Sequence, residues 1–189
     1  SGPRIVLGRA NAPEGPRPVM ILKHTPELRH AGPREAGLFH TAILFDTKAA
    51  LAAAVYSVAQ KHPGTFTGSS DHFVSNAFYF DDPEGNGVEL YVDRPRSQWR
   101  RGAGGGVEMA SLRLDPNAFL EQHLPGAPAP QDDGAGIGHV HLQVGDLAQA
   151  EQFYAGVLGF DVMARYGSQA LFVSAGGYHH HIGLNTWNS

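Results

Sequence analysis

The 189 residues suit one large domain or two small ones, and a formal charge of −4 with no basic run argues against nucleic acid as the main partner. No apolar run approaches the roughly 20 residues of a membrane span and no signal peptide opens the chain, so a cytoplasmic protein with no membrane partner is expected. Cysteine is absent, which leaves His, Asp and Glu as the available metal ligands, and eleven histidines are the one compositional excess.

Residues 5–7 and 19–22 read as two short strands joined by a Pro- and Gly-rich link over 11–18. No helix accompanies them, so residues 1–37 look like the remnant of a larger unit, with His24 and His30 as solvated side chains. LFHTAILF (38–45) alternates, with Phe39, Ile43 and Phe45 on one face and His40, Ala42 and Leu44 on the other. Asp46 or Thr47 can cap a helix that turns Leu51, Val55 and Val58 to one side, and His62-Pro63-Gly64 ends it. SSDHFVSNAFYFDDPEGNGVELYVDRP (69–95) then supplies strands around a tight turn at 82–87. Val88, Leu90 and Val92 share one strand face, Glu89 and Tyr91 the other. A lone carboxylate in such a strand needs water, a partner or a metal, because burying it bare is costly.

Residues 99–136 read as a linker, with RRGAGGG, one weak strand or helix start within 108–120, and a Pro/Ala/Gly/Asp run ending at Gly136. The earlier grammar then repeats. IGHVHLQV (137–144) sets His139, His141 and Gln143 against Val140, Leu142 and Val144. Asp146 caps a helix with Gln149 at the capping-box position, Gly159 closes it, and Ala150, Phe153, Tyr154 and Val157 form its expected buried stripe. FDVMARYG, QALFVSAGG and HHHIGLNTW follow as three strands. Superposed, His40 falls on His139, and the strand of Glu89 falls on residues 179–187. The chain therefore reads as α+β, with βαβββ units at 38–98 and 137–189.

This repeated unit resembles the vicinal oxygen chelate superfamily, which includes glyoxalases, antibiotic-resistance binding proteins and extradiol ring-cleaving dioxygenases. DLAQAEQFYAGVLGF (146–160) is similar to that superfamily's first helix. His72, Phe78-Tyr79, Pro83, Gly85 and Glu89 resemble the extradiol dioxygenase signature, from which Ser70 departs. Residues 137–142 and AGGYHHHIGLNTW resemble the second domain of two-domain bacterial catechol-2,3-dioxygenase-like proteins. Such proteins hold four units, so a truncated chain is expected, with the tail of a first unit, a full second and most or all of a third.

The resemblance implies open half-barrels around a metal, Fe(II) or alternatively Mn, Zn or Ni, and cleavage of a small aromatic diol with O2. It assigns His40 and Glu89 as two of three metal ligands. Its first histidine would lie on a strand of unit one that this chain lacks. His139, at the equivalent place in unit three, would bind a second metal, complete the first site or be vestigial. In the 179–181 cluster, with Ile182 and Leu184 packed on the helix side, period 2 sends His179, His181 and Asn185 to the metal side, which makes His181 the better ligand candidate and leaves His180 structural. By resemblance His72 is an acid/base and oxygen-binding partner and Tyr79 positions the substrate; the plainer readings are a turn histidine beside Asp71 and a core tyrosine. Trp99 and Trp187 read as packing residues. Two other functions stay open, a glyoxalase-type isomerase or lyase and a metal-free ligand-sequestering protein, and a homo-oligomer is compatible with either.

Overall fold

Period-2 alternation organises the structure, a computed structural model that describes residues 2–9, 15, 17–102, 104–127 and 134–189. Two antiparallel strands, β1 (Arg4–Arg9) and β2 (Arg17–Lys23), form a small sheet of their own. Most of the link expected between them lies outside the described residues. The main unit then runs β3 (Gly37–Phe45), α1 (Lys48–Lys61), β4 (Phe66–Asp71), β5 (Ser75–Asp81) and β6 (Gly87–Asp93). Thr47 caps α1, its hydroxyl accepting the Ala50 N–H at 3.0 Å. A second strand–helix–three-strand unit comprises β8 (Ala135–Gln143), α3 (Leu147–Glu151), β9 (Asp161–Tyr166), β10 (Ala170–Ser174) and β11 (Ile182–Asn185).

The stretch between the units, expected as a linker, is structured. β7 (Leu112–Arg113) pairs with β4, and α2 (Pro116–His123) follows an Asp115 cap with Pro116 in its first turn. Phe119 of α2 is buried against the first unit's core. Residues 128–133 of the expected Pro/Ala/Gly/Asp run lie outside the described residues.

The nine strands of the main sheet lie in the order β7-β4-β5-β6-β3-β8-β11-β10-β9. Within each unit the opening strand pairs parallel with the last, β3 with β6 and β8 with β11. The two units join edge to edge through antiparallel β3 and β8, and this gives each opening strand two neighbours. Ile43, Phe45, Phe78, Phe80, Val88, Leu90 and Val92 turn to one side, onto α1 and α2. Leu142, Leu171, Val173, Ile182 and Leu184 do the same beneath α3. This is the repeated βαβββ architecture, with polar residues left to the other face.

The second helix departs from its expected stripe. Gln152–Val157 continues α3 as a π-helix, with the Leu158 N–H donating to the Phe153 carbonyl. The wider turn rotates later residues off the period of 3.6, so Leu147, Ala150 and Tyr154 pack inward while Phe153 and Val157 are exposed. No helix among the described residues is long and apolar enough to cross a membrane.

Candidate metal centre

Three adjacent strands carry the site. Ala42 on β3 is the register partner of Glu89 on β6 and of His139 on β8, and His40 is the partner of His141. Side chains in register on neighbouring strands share a face, so these groups turn to the face opposite the helices. The small side chain of Ala42, wholly buried between Glu89 and His139, leaves the space into which longer side chains converge.

His40 Nε2 lies 2.9 Å from Glu89 Oε2, and His139 Nε2 lies 3.1 Å from the same oxygen. The two Nε2 atoms are 3.4 Å apart. Three donors about 2.1 Å from one ion on a shared coordination face stand about 3 Å from each other. The donor set therefore fits a divalent ion: two imidazoles, one carboxylate and a net charge of −1 that leaves the ion's charge only partly cancelled. Glu89, His40 and His139 are all buried.

The electrostatics suit that use. Burial alone would raise the Glu89 carboxyl, but His139 and His40 more than reverse this and hold it well below the usual carboxylate range. Burial lowers His139, against an opposing pull from Glu89. Burial, reinforced by the neighbouring imidazoles, also holds His141 and His180 well below the ordinary histidine value. Neutral imidazoles beside an ionised carboxylate are the ligand state a divalent ion requires.

A pH dependence follows for the metal-free protein. A histidine whose folded pKa is depressed binds fewer protons folded than unfolded, so stability falls as pH drops below the unfolded value near 6.5, by up to about 1.4 kcal/mol per pH unit for each such group. His139, His141 and His180 all act in this direction. Denaturation at pH 7.5 and 5.5 should show the protein weaker at 5.5; equal stability would contradict the burial of neutral imidazoles.

The site opens into a cavity of about 390 Å³. Phe39, Phe172 and Trp187 give it aromatic walls, and His72, Tyr79, His141 and His180 face it as polar groups. Trp187, expected as packing, is in part a cavity wall, whereas Trp99 is buried against Tyr178 and His179. His72 reaches the cavity beside Tyr79. Its Nδ1 lies 2.6 Å from the Ala110 carbonyl and its Nε2 lies 2.6 Å from the Tyr79 hydroxyl. Because a carbonyl only accepts, Nδ1 carries the proton, and with neutral His72 the Tyr79 O–H donates to Nε2. The residue after His72, Phe73, holds the left-handed backbone conformation at φ 67°, with its N–H donated to Asp71 Oδ1.

His181 stands elsewhere. It is exposed, with Nδ1 3.0 Å from Ser174 Oγ, and His180 is the buried residue that lines the cavity. The expected alternation does hold along β11, where Ile182 and Leu184 pack under α3. It fails before the strand because Gly176 and Gly177, both at positive φ, start a loop with no period of two. His141 was visible as a sharer of the His139 face but carried no role. It is buried with Nε2 unpartnered among the described residues. A Cβ at position 183 would press on its ring at 2.9 Å, so glycine there leaves the ring its place.

Paired βαβββ units with a His/Glu/His set on their shared face resemble the arrangement expected of the vicinal oxygen chelate superfamily. Consistent with this, residues 136–186 match the Glyoxalase/Bleomycin resistance protein/Dioxygenase superfamily. The chain is 43% identical over 176 residues to a curated Bacillus subtilis (strain 168) protein named catechol-2,3-dioxygenase, covering 92% of this chain and 61% of that one. It thus spans about three-fifths of that relative's length. Among solved structures it is similar to a putative dioxygenase from Bacillus subtilis, with 18% identity, a TM-score of 0.49, and coverage of 84% of this chain and 44% of that one. It is also similar to methylmalonyl-CoA epimerase from Mycobacterium tuberculosis, at 16% identity and a TM-score of 0.44, covering 79% of this chain and 86% of that one.

Proposed function

We propose that the chain carries the site of an Fe(II)-dependent extradiol dioxygenase, which opens the ring of a catechol-type diol with O2. The observation that carries this reading is the buried His40–Glu89–His139 set at the floor of an aromatic-walled cavity. The relative named catechol-2,3-dioxygenase supports it.

In this reading His40, His139 and Glu89 would hold the ion, with Glu89 as the one anionic ligand, and the ion would supply Lewis-acid activation of the diol and of O2. The aromatic walls hold the ring flat and exclude water. Tyr79, its own proton committed to His72, presents oxygen lone pairs and accepts a hydrogen bond from a substrate hydroxyl. A proton leaving that hydroxyl passes to the Tyr79 oxygen as the phenol proton moves to His72 Nε2, so His72 acts as the base through Tyr79. The Ala110 carbonyl fixes the histidine tautomer that permits this direction.

The test is anaerobic loading with Fe(II), addition of catechol and then admission of air. A coloured ring-fission product is expected, and its absence from iron-replete protein would overturn the reading. Tyr79→Phe should lower kcat on the order of 10²-fold, the lower end of what a positioned proton-transfer group contributes, with iron content unchanged. Full activity in that variant would remove Tyr79 from the mechanism.

A further inference from the structure

A metal-binding histidine ordinarily donates its second ring N–H to a carboxylate or carbonyl, which fixes the ring's orientation. His139 lacks this partner: its Nδ1 is buried with no hydrogen bond among the described residues. Its ring is held by other rings. His180 lies against it at 4.0 Å between centroids, and Tyr91 at 4.9 Å. Tyr91 reaches that place only because residue 138 is glycine; a Cβ there would collide with the Tyr91 hydroxyl.

His180 is in turn tied down. Its Nδ1 lies 2.7 Å from His179 Nδ1, and His179 Nε2 lies 2.8 Å from Asp93 Oδ1. His179 is wholly buried, with the Tyr178 ring at 4.0 Å and Trp99 at 5.2 Å. Asp93 ends β6, the strand that carries Glu89, so the line starts from the same strand as the carboxylate it would help to serve. A carboxylate accepts, so His179 donates to Asp93 through Nε2; in the arrangement with one proton on each ring, His179 Nδ1 offers a lone pair and His180 donates through its own Nδ1.

We infer that Asp93, His179 and His180 are positioning residues for His139, holding its ring by tilted ring-to-ring contact where a direct carboxylate partner is missing. The inference rests on reading His40, Glu89 and His139 as a metal site. None of the three residues touches the ion; each acts by limiting how far the His139 ring can turn.

The experiment is Co(II) titration of the full chain, wild type against Asp93→Ala, with the visible Co(II) spectrum as a report on coordination geometry. Loss of an outer partner of this kind should weaken Co(II) binding about 10–100-fold and shift the bands. A merely structural role would lower the melting temperature of the metal-free variant and leave the bands unchanged. Affinity within about twofold of wild type, with the same spectrum, would overturn the inference. Nitrogen-15 NMR of the metal-free wild type tests the same line without any variant. It should find His179 protonated on Nε2 and His180 on Nδ1, and His179 without a proton on Nε2 would refute the line even if Asp93→Ala fails to fold. Wild-type protein that takes up no Co(II) would count against the metal site itself, and the tautomer pattern would still decide the line.

Discussion

Glu89→Gln is expected to fold, to lose its divalent ion and to open no ring. Glu89 is the single anionic donor of the set, 3% exposed and shared between His40 Nε2 and His139 Nε2. Removing its charge should weaken metal binding on the order of 10³-fold, the equivalent of about 4 kcal/mol. The metal-free protein should lose little, because an amide oxygen can still accept from both imidazoles and no buried charge is left alone. The signature is therefore a divergence. Metal at 100 times Kd stabilises wild type by about 2.7 kcal/mol, and that increment should vanish in the variant while metal-free stability stays within about 1 kcal/mol. Thermal melts with and without metal measure both quantities. A variant that keeps its metal-induced shift would remove Glu89 from the site.

Phe78→Ala should cost about 3–5 kcal/mol, a large part of the roughly 5–15 kcal/mol that holds a domain folded. Phe78 is wholly buried on β5 and meets Phe119 of α2 edge to face at 5.0 Å. Its loss opens a cavity beneath the sheet and separates α2 from the strand that carries Tyr79 on its other face. Urea denaturation should show a lower midpoint with an unchanged slope. A loss below about 1 kcal/mol would mean that α2 does not pack on this core as described.

Much of the fold was legible because its signals are local. The alternation of Val88, Leu90 and Val92 against Glu89 and Tyr91 sorts β6 into a core face and a site face without reference to any other strand. Thr47 and Asp146 announce helix starts through side chains that bond to backbone two or three residues on. The repeat of the unit was visible for the same reason.

Contacts set by assembly were not legible. Nothing in the period of residues 137–144 says that β8 pairs with β3, so His139 kept three possible fates until the register put it across Ala42 from Glu89. Asp93 and His179 stand 86 residues apart and signal each other in no pattern. A strand period carried back past Gly176 and Gly177 favours His181 over His180, but at those two residues the backbone leaves the β region. The outward turn of Phe153 and Val157 has a similar origin, a period of 3.6 assumed across a π-helical segment. The shared lesson is that periodicity holds only inside an element.

The account stands on two units contributing to one ion. Metal content per chain after His139→Ala, beside His40→Ala and wild type, tests this most directly. One equivalent in wild type and loss from both variants is the predicted result. A full equivalent retained by His139→Ala, with His40→Ala empty, would show that the second unit supplies no ligand and would contradict the account.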